Sequence, residues 1–428
     1  MSAVAASGLP RAAVEAKAIS LLAAAALSFG VFLQGFVVRE PAPYELFMVG
    51  LIAVWALFGL RLSRHAAILL ALLAAYNIGG ALSMATMGDL HDTPLYLAVT
   101  LFLSLTSVFF AAILVADHSR YGLIFRAWTA AALIAALLGI AGYLDAFPGA
   151  GAFSRYGRAS GTFADPNVFG PFLALPGIYM LYRLLTAPVR LMPLYAGMLV
   201  VIAGGVFLSF SRGAWGLYVV ASMLLVGALF LQSRSGLFRL RVALMSALAL
   251  ALALGGILVA LQMPGTAEFL AERARLVQHY DGGEDGRFAR FVVGFRMAME
   301  HPLGIGPLNF GRMLGEDTHN IWLKALMDYG WLGFASFVVL VAWTVAGGFR
   351  ILFRDRPWQP YLLCAYVVFL GHLALGTVID MDHWRHFYVL VGLVWGAMAL
   401  EACHQNALRQ RRPAATRATA ARAGEAIA

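Results

Sequence analysis

The feature that most restricts this chain is a series of unbroken apolar blocks, each about 18–23 residues long and set apart by short polar joints. A helix of that length spans the roughly 30 Å hydrocarbon core of a bilayer. The blocks lie near 18–38, 44–60, 65–84, 94–116, 124–145, 167–186, 191–210, 213–231, 240–261, 328–349, 361–379 and 384–402. They are continuously apolar, whereas a barrel strand alternates over about ten residues, so helices are expected. Composition agrees: 61% of the 428 residues are hydrophobic and 12% charged. A water-soluble domain has about 45–50% apolar and about 25% charged residues. The expected fold is an all-α integral membrane protein of about 12 transmembrane helices with one large loop. Residues 1–261 would hold helices 1–9, 262–327 the loop with amphipathic helices, 328–402 helices 10–12, and 403–428 an Ala/Arg-rich disordered tail.

The arginines orient the chain. With the N-terminus placed in the cytoplasm, the loops after the even-numbered spans carry Arg61 and Arg64, Arg120 and Arg126, Arg183 and Arg190, Arg234 and Arg239, Arg350 and Arg354. Joints on the other side are poor in basic residues; 85–93 has none. This positive-inside bias puts both termini in the cytoplasm and the loop 262–327 outside. The net charge of +9 is then a topological signal, and nucleic-acid binding is not expected. The two cysteines, Cys364 and Cys403, offer neither a disulfide framework nor a metal site. No internal repeat suggests the inverted halves of a transporter.

In so apolar a chain the informative residues are those that are costly where they sit. An arginine deep in a bilayer costs at least about 2.5–3.5 kcal/mol and so faces a wet cavity or a partner. Four polar stretches fall on the outer side. In 155–170, Asp165-Pro166-Asn167 forms a turn opening the sixth helix. That segment is either a capped re-entry turn or a cavity wall with Arg158 facing an anion. In 209–215, Ser211-Arg212-Gly213 joins two helices, and a guanidinium at a helix N-terminus suits an anion. Simple snorkelling of Arg212 to headgroups is the alternative. In 286–302, Phe288, Phe291, Val292 and Phe295 share one helical face, while Arg287 and Arg290 are neighbours at helical spacing. An interfacial helix with arginines at headgroup phosphates accounts for that pattern equally. In 317–333, Asp317 or Thr318 caps a helix beginning near His319. A lone histidine is more often structural, but this one stands at the mouth of a span on the side that holds the arginines.

These residues resemble the O-antigen ligase and polymerase family of bacterial envelope enzymes. His319-Asn320 followed by Gly330 and Gly333 matches the ligases' His-Asn…Gly-x-x-Gly signature, and Ser211-Arg212-Gly213 the family's Ser-Arg-Gly turn. Gly286-Arg287 ahead of His301-Pro302-Leu303-Gly304-Ile305-Gly306 and Asn309-Phe310 matches the loop block, with Phe291 where tryptophan is usual. Gly161-Thr162-Phe163, Pro166-Asn167 and Gly170 form a further element. By topology the resemblance covers most of the chain; it is most specific from 154 to 333. It implies a metal-independent, inverting, GT-C-type glycosyltransferase without a cofactor. Its donor would be a glycan on undecaprenyl diphosphate, and its acceptor lipid A–core or, in a polymerase, another lipid-linked glycan.

The chemistry assigns roles as expectations. A sugar hydroxyl is a weak nucleophile, and a general base helps by about 10²–10⁴-fold. His319 is the expected base, since imidazole titrates near neutral pH. The leaving diphosphate calls for fixed guanidinium forks, expected from Arg212 and Arg287, with Arg158 and Arg290 as further candidates. Ser211, Asn320, Gly330, Gly333 and Asn167 would support the site. A flippase or other transporter is the rival of a different class; it should carry charges at mid-membrane and repeat symmetry, whereas here the unusual polar groups gather on one side.

Overall fold

The computed structural model of the chain describes residues 11–39, 41–262, 267 and 286–425. Most of the first half of the expected loop, 263–285, therefore lies outside the described residues. The protein is an all-α integral membrane protein. Among the described residues ten helices are long and apolar enough to cross a membrane, and two shorter apolar helices, Pro43–Leu57 and Gln359–Leu375, join them. In chain order these are α1 (Arg11–Leu33), α2 (Pro43–Leu57), α3 (Arg64–Met84), α4 (Thr93–Ala116), α5 (Arg120–Tyr143), α6 (Pro166–Phe172), α7 (Ala174–Thr186), α8 (Met192–Leu208), α9 (Arg212–Gln232) and α10 (Gly236–Ala260). Then follow α11 (Arg287–Glu300), α12 (Asn309–Leu314), α13 (Ile321–Asp328), α14 (Gly330–Ile351), α15 (Gln359–Leu375) and α16 (Arg385–Glu425). A two-residue hairpin, β1 (Ser154–Arg155) with β2 (Arg158–Ala159), precedes α6.

The block expected as one helix at 167–186 is broken into α6 and α7. Its prolines explain the break. Pro176 has no N–H to give the carbonyl four residues back, so the Phe172 carbonyl is left over. The Trp128 indole of α5 donates to it at 3.1 Å. At the other end of the chain, α16 runs on to Glu425, through the segment expected to be irregular from 403. Alanine and arginine are both strong helix formers, so lack of an apolar face does not by itself end a helix.

Small residues and hydroxyls bind the inner helices, as lipid supplies no hydrophobic drive between them. Gly392 and Gly396 of α16 lie against Ser107 and Leu114 of α4, where a Cβ would come within 2.6 Å and 2.9 Å. Ser107 donates to the Tyr388 carbonyl at 2.6 Å and Tyr121 to that of Leu393 at 2.6 Å. The centre of the bundle is thus α4, α15 and α16. By contrast, α10 leaves Leu240, Leu244, Leu248, Leu252 and Leu258 exposed, as suits a helix bathed in lipid.

One end of the bundle is woven shut by the connections that carry the polar stretches. Val37, after α1, exchanges backbone hydrogen bonds of 2.8 and 2.9 Å with Thr162 and Ala164. The 301–308 loop lies across the ends of α3 and α4. The Gly306 amide donates to Ser83 at 2.7 Å, and Thr93 donates to the Pro307 carbonyl at 3.1 Å. Arg385, opening α16, pairs with Glu45 of α2, whose other oxygen accepts from the Ala42 amide at 2.6 Å.

Candidate functional site

Two groups of side chains meet at this end. The first is built on the α8–α9 turn. Phe210 takes a left-handed backbone, φ 46°, and reverses the chain. The Ser211 hydroxyl then accepts from the Ala214 amide at 3.4 Å, capping α9 and starting it with Arg212, which is half-buried. Arg158 braces the turn from beside α6: its Nε donates to the Ser209 carbonyl at 2.7 Å and a terminal nitrogen to Asn167 Oδ1 at 2.7 Å. Asp165 fixes Asn167 in turn, its carboxylate accepting from the Asn167 amide at 2.8 Å. So Arg158, Asn167, Ser211 and Arg212, distant in sequence, form one structural unit. Within it Arg158 and Asn167 act on the turn itself.

The second group surrounds His319. Asn320 caps α13, accepting from the amides of Trp322 and Leu323 at 3.0 and 3.1 Å, and donates to the Thr377 carbonyl at 3.1 Å. His319, just ahead of that cap, has φ 51°. The left-handed region costs a non-glycine residue about 1–2 kcal/mol. The imidazole so placed lies between two carboxylates. Nε2 is 3.1 Å from Glu316 and Nδ1 is 3.5 Å from Asp380. The contact with Asp380, reinforced by Glu316, raises the His319 pKa above the usual imidazole value despite its burial. Glu316 also pairs with Arg290 of α11, which, with His319, holds its carboxyl below the usual range.

Behind His319 stands Lys324, buried to 3% exposure. Its ammonium is 3.1 Å from Asp317, 3.7 Å from Asp382 and 4.0 Å from Asp380. Burial opposes the Lys324 charge, but these carboxylates outweigh it and keep the amine protonated. Burial likewise pushes Asp380 up, and Lys324 and His319 bring it down below the usual range. Asp382 further accepts from the Tyr96 hydroxyl, and Tyr96 stacks on His383 at 3.7 Å between ring centres.

Gly330 and Gly333 support the site through space rather than contact with any ligand. Gly330 has φ 65°, and a Cβ there would meet the Leu303 carbonyl at 2.6 Å. This close approach lets the Trp331 amide donate to Pro302 and the Ile305 amide to Met327, both at 2.9 Å. Gly333 backs onto α3, where a Cβ on Gly79 would stand 2.7 Å from its amide nitrogen.

The two groups adjoin along the last residues of α15. A Cβ on Gly213, next to Arg212, would strike Leu375; the Ile321 amide donates to the Gly376 carbonyl at 2.8 Å. Arg287 opens α11, but its side chain lies outside the described residues. The sequence reading missed Glu316, Lys324, Asp380 and Asp382. The expectation of a metal-independent site went with seeing no Asp-x-Asp element, yet Asp380-Met381-Asp382 is one. In the fold that triplet faces the Lys324 ammonium. Its signal was available: two acids in a short joint between apolar blocks, on the side where the other polar stretches gather.

Residues 197–338 match the family model described as O-antigen ligase. That segment contains the α8–α9 turn, α11, and His319 with its cap. Over this stretch, about a third of its length, the chain is similar to that family. No curated protein was found to match the chain. Together with the membrane-spanning helices, the match agrees with a membrane-embedded, glycosyltransferase-like enzyme. It includes Ser211, Arg212, Arg287, Arg290, His319, Asn320, Gly330 and Gly333, while Arg158, Asn167, Asp380 and Asp382 lie beyond it.

Proposed function

We propose that this protein transfers a glycan from undecaprenyl diphosphate to a hydroxyl of lipid A–core, at the periplasmic face of the inner membrane, with His319 as general base. One observation carries the reading: an imidazole paired with Asp380 and a capped helix N-terminus that begins with Arg212 lie in regions that pack against the same end of α15. The acceptor O–H gives its proton to His319 as its oxygen bonds to the anomeric carbon. The bond from that carbon to the diphosphate breaks, and the electron pair leaves with the phosphate oxygen. Backside attack inverts the anomeric centre. Arg212 and Arg287 would neutralise the growing charge by forked hydrogen bonds, so that no divalent metal is called for.

In the resting arrangement both imidazole nitrogens face carboxylate oxygens. A ring so placed donates from both nitrogens and has no lone pair for a proton. Glu316, half of whose side chain is exposed, is the partner able to leave; Asp380 is only 16% exposed. A diphosphate drawn to Arg290 would compete with Glu316 for that guanidinium and free Nε2 for the acceptor. Arg158, its donors engaged by the turn, holds Arg212 in place rather than gripping the ligand.

The test is transfer by purified protein from a synthetic undecaprenyl-diphosphate-linked glycan, offered lipid A–core in one arm and a second lipid-linked glycan in the other. Product on lipid A–core supports the ligase reading. Product only on the lipid-linked glycan makes the protein a polymerase, and no product in either arm removes the enzymatic reading.

A further inference from the structure

Lysine is almost never fully buried unless paired, and one counter-ion is enough to pair it. Lys324 has three, Asp317, Asp380 and Asp382, brought from two separate connections, and its ammonium lies 5.4 Å from the centre of the Tyr96 ring. The same Asp380 oxygen, Oδ2, is 3.5 Å from His319 Nδ1 and 4.0 Å from Lys324 Nζ. We propose that Lys324 is a positioning residue for the His319 base: its ammonium shares the oxygen that faces the imidazole and balances the acids gathered behind it. The proposal rests on the reading of His319 as base.

The argument is one of charge. Glu316 and Asp380 face the imidazole directly, Arg290 stands beyond Glu316, and Asp317 and Asp382 stand beyond Lys324. Arg290 is matched by Glu316. Without the Lys324 ammonium, Asp380 would be left with His319 as its remaining ion pair among the described residues, and Asp382 would lose the ammonium 3.7 Å away. An opposite charge within about 4–6 Å moves a titration by roughly 1–3 units toward the charged form. His319 would then keep its proton at neutral pH and fail to act as base. The ammonium thus keeps Asp380 ionised, to orient the ring, while preventing the acid cluster from locking the ring as imidazolium.

The experiment is the pH profile of kcat/KM for transfer by purified full-length protein, wild type against Lys324→Met and Lys324→Arg. The acid limb of Lys324→Met is expected to move up by about one pH unit, a roughly tenfold loss on that limb, while Lys324→Arg follows the wild type. A Lys324→Met limb that stays in place or moves down overturns the proposal. Lys324→Gln, which keeps a polar end for Asp317, carries the same test if the methionine variant does not accumulate in the membrane. Loss of both neutral variants from the membrane, with Lys324→Arg retained, assigns Lys324 to folding and overturns the proposal. Wild-type protein inactive at every pH strikes at the reading of the site itself; an active wild type with an unmoved variant limb counts against Lys324 alone.

Discussion

The α8–α9 turn and the His319 cluster sit side by side yet are built from opposite materials. In the turn, Arg158 donates to a backbone carbonyl and a side-chain amide, both neutral acceptors. Around His319 and Lys324 stand the acids Glu316, Asp317, Asp380 and Asp382, and the buried Asp328 also acts on Lys324. Arg212 opens α9 at its capped N-terminus, where amide dipoles and a guanidinium together suit an anion. A frame of carboxylates favours protonation of an imidazole and suits proton transfer. The proposed mechanism divides its work along the same line, with diphosphate recognition at the turn and base chemistry in the cluster.

The largest effect that would break this division is in the cluster. His319→Ala is expected to lower turnover by about 10²–10⁴-fold with the protein still inserted, read as product formed per membrane-embedded protein. Next comes the turn. Arg212→Lys keeps the charge and loses the fork, a loss of about 1.5–3 kcal/mol for a hydrogen bond to a charged group, or roughly ten- to a hundredfold in donor KM. Unchanged donor KM would take the diphosphate away from Arg212. Arg158→Lys cannot serve Ser209 and Asn167 at once, so it is expected to destabilise the fold by about 1–3 kcal/mol, seen as a lower Tm. Its effect on turnover should follow that loss of stability.

The smallest effect sharpens the comparison by its sign. Asp380 and Glu316 hold the His319 pKa above the usual imidazole value, and in the proposed mechanism the neutral ring is the base. In the wild type kcat/KM therefore rises with pH through that raised value and levels off above it. Glu316→Gln removes one carboxylate, so the limb should move down, by less than about one unit for a partly exposed group. An upward shift would contradict the role given to Glu316.

The sequence makes the membrane spans legible because bilayer thickness translates directly into apolar length: Arg64–Met84 and Thr93–Ala116 fall where blocks at 65–84 and 94–116 are expected. Hydropathy hides the break at Leu173, since Pro171 and Pro176 interrupt hydrogen bonding without making the block less apolar. At the site, His319 and Arg212 are legible as polar residues beside spans. The acids of the 380–382 joint are legible in the same way, but their meeting with His319 and Lys324 is not, because the topology that lays the α15–α16 joint against the start of α13 is a property of packing rather than of spacing. Nor is the bracing role of Arg158, which depends on the Ser209 carbonyl, an atom that every residue has.

The division of labour is tested most directly by measuring the affinity for undecaprenyl-diphosphate-linked glycan in His319→Ala, beside Arg212→Lys. The account predicts that the alanine variant binds the donor as the wild type does while transferring none of it, and that the lysine variant binds it less well. Donor binding lost in His319→Ala but intact in Arg212→Lys would contradict it.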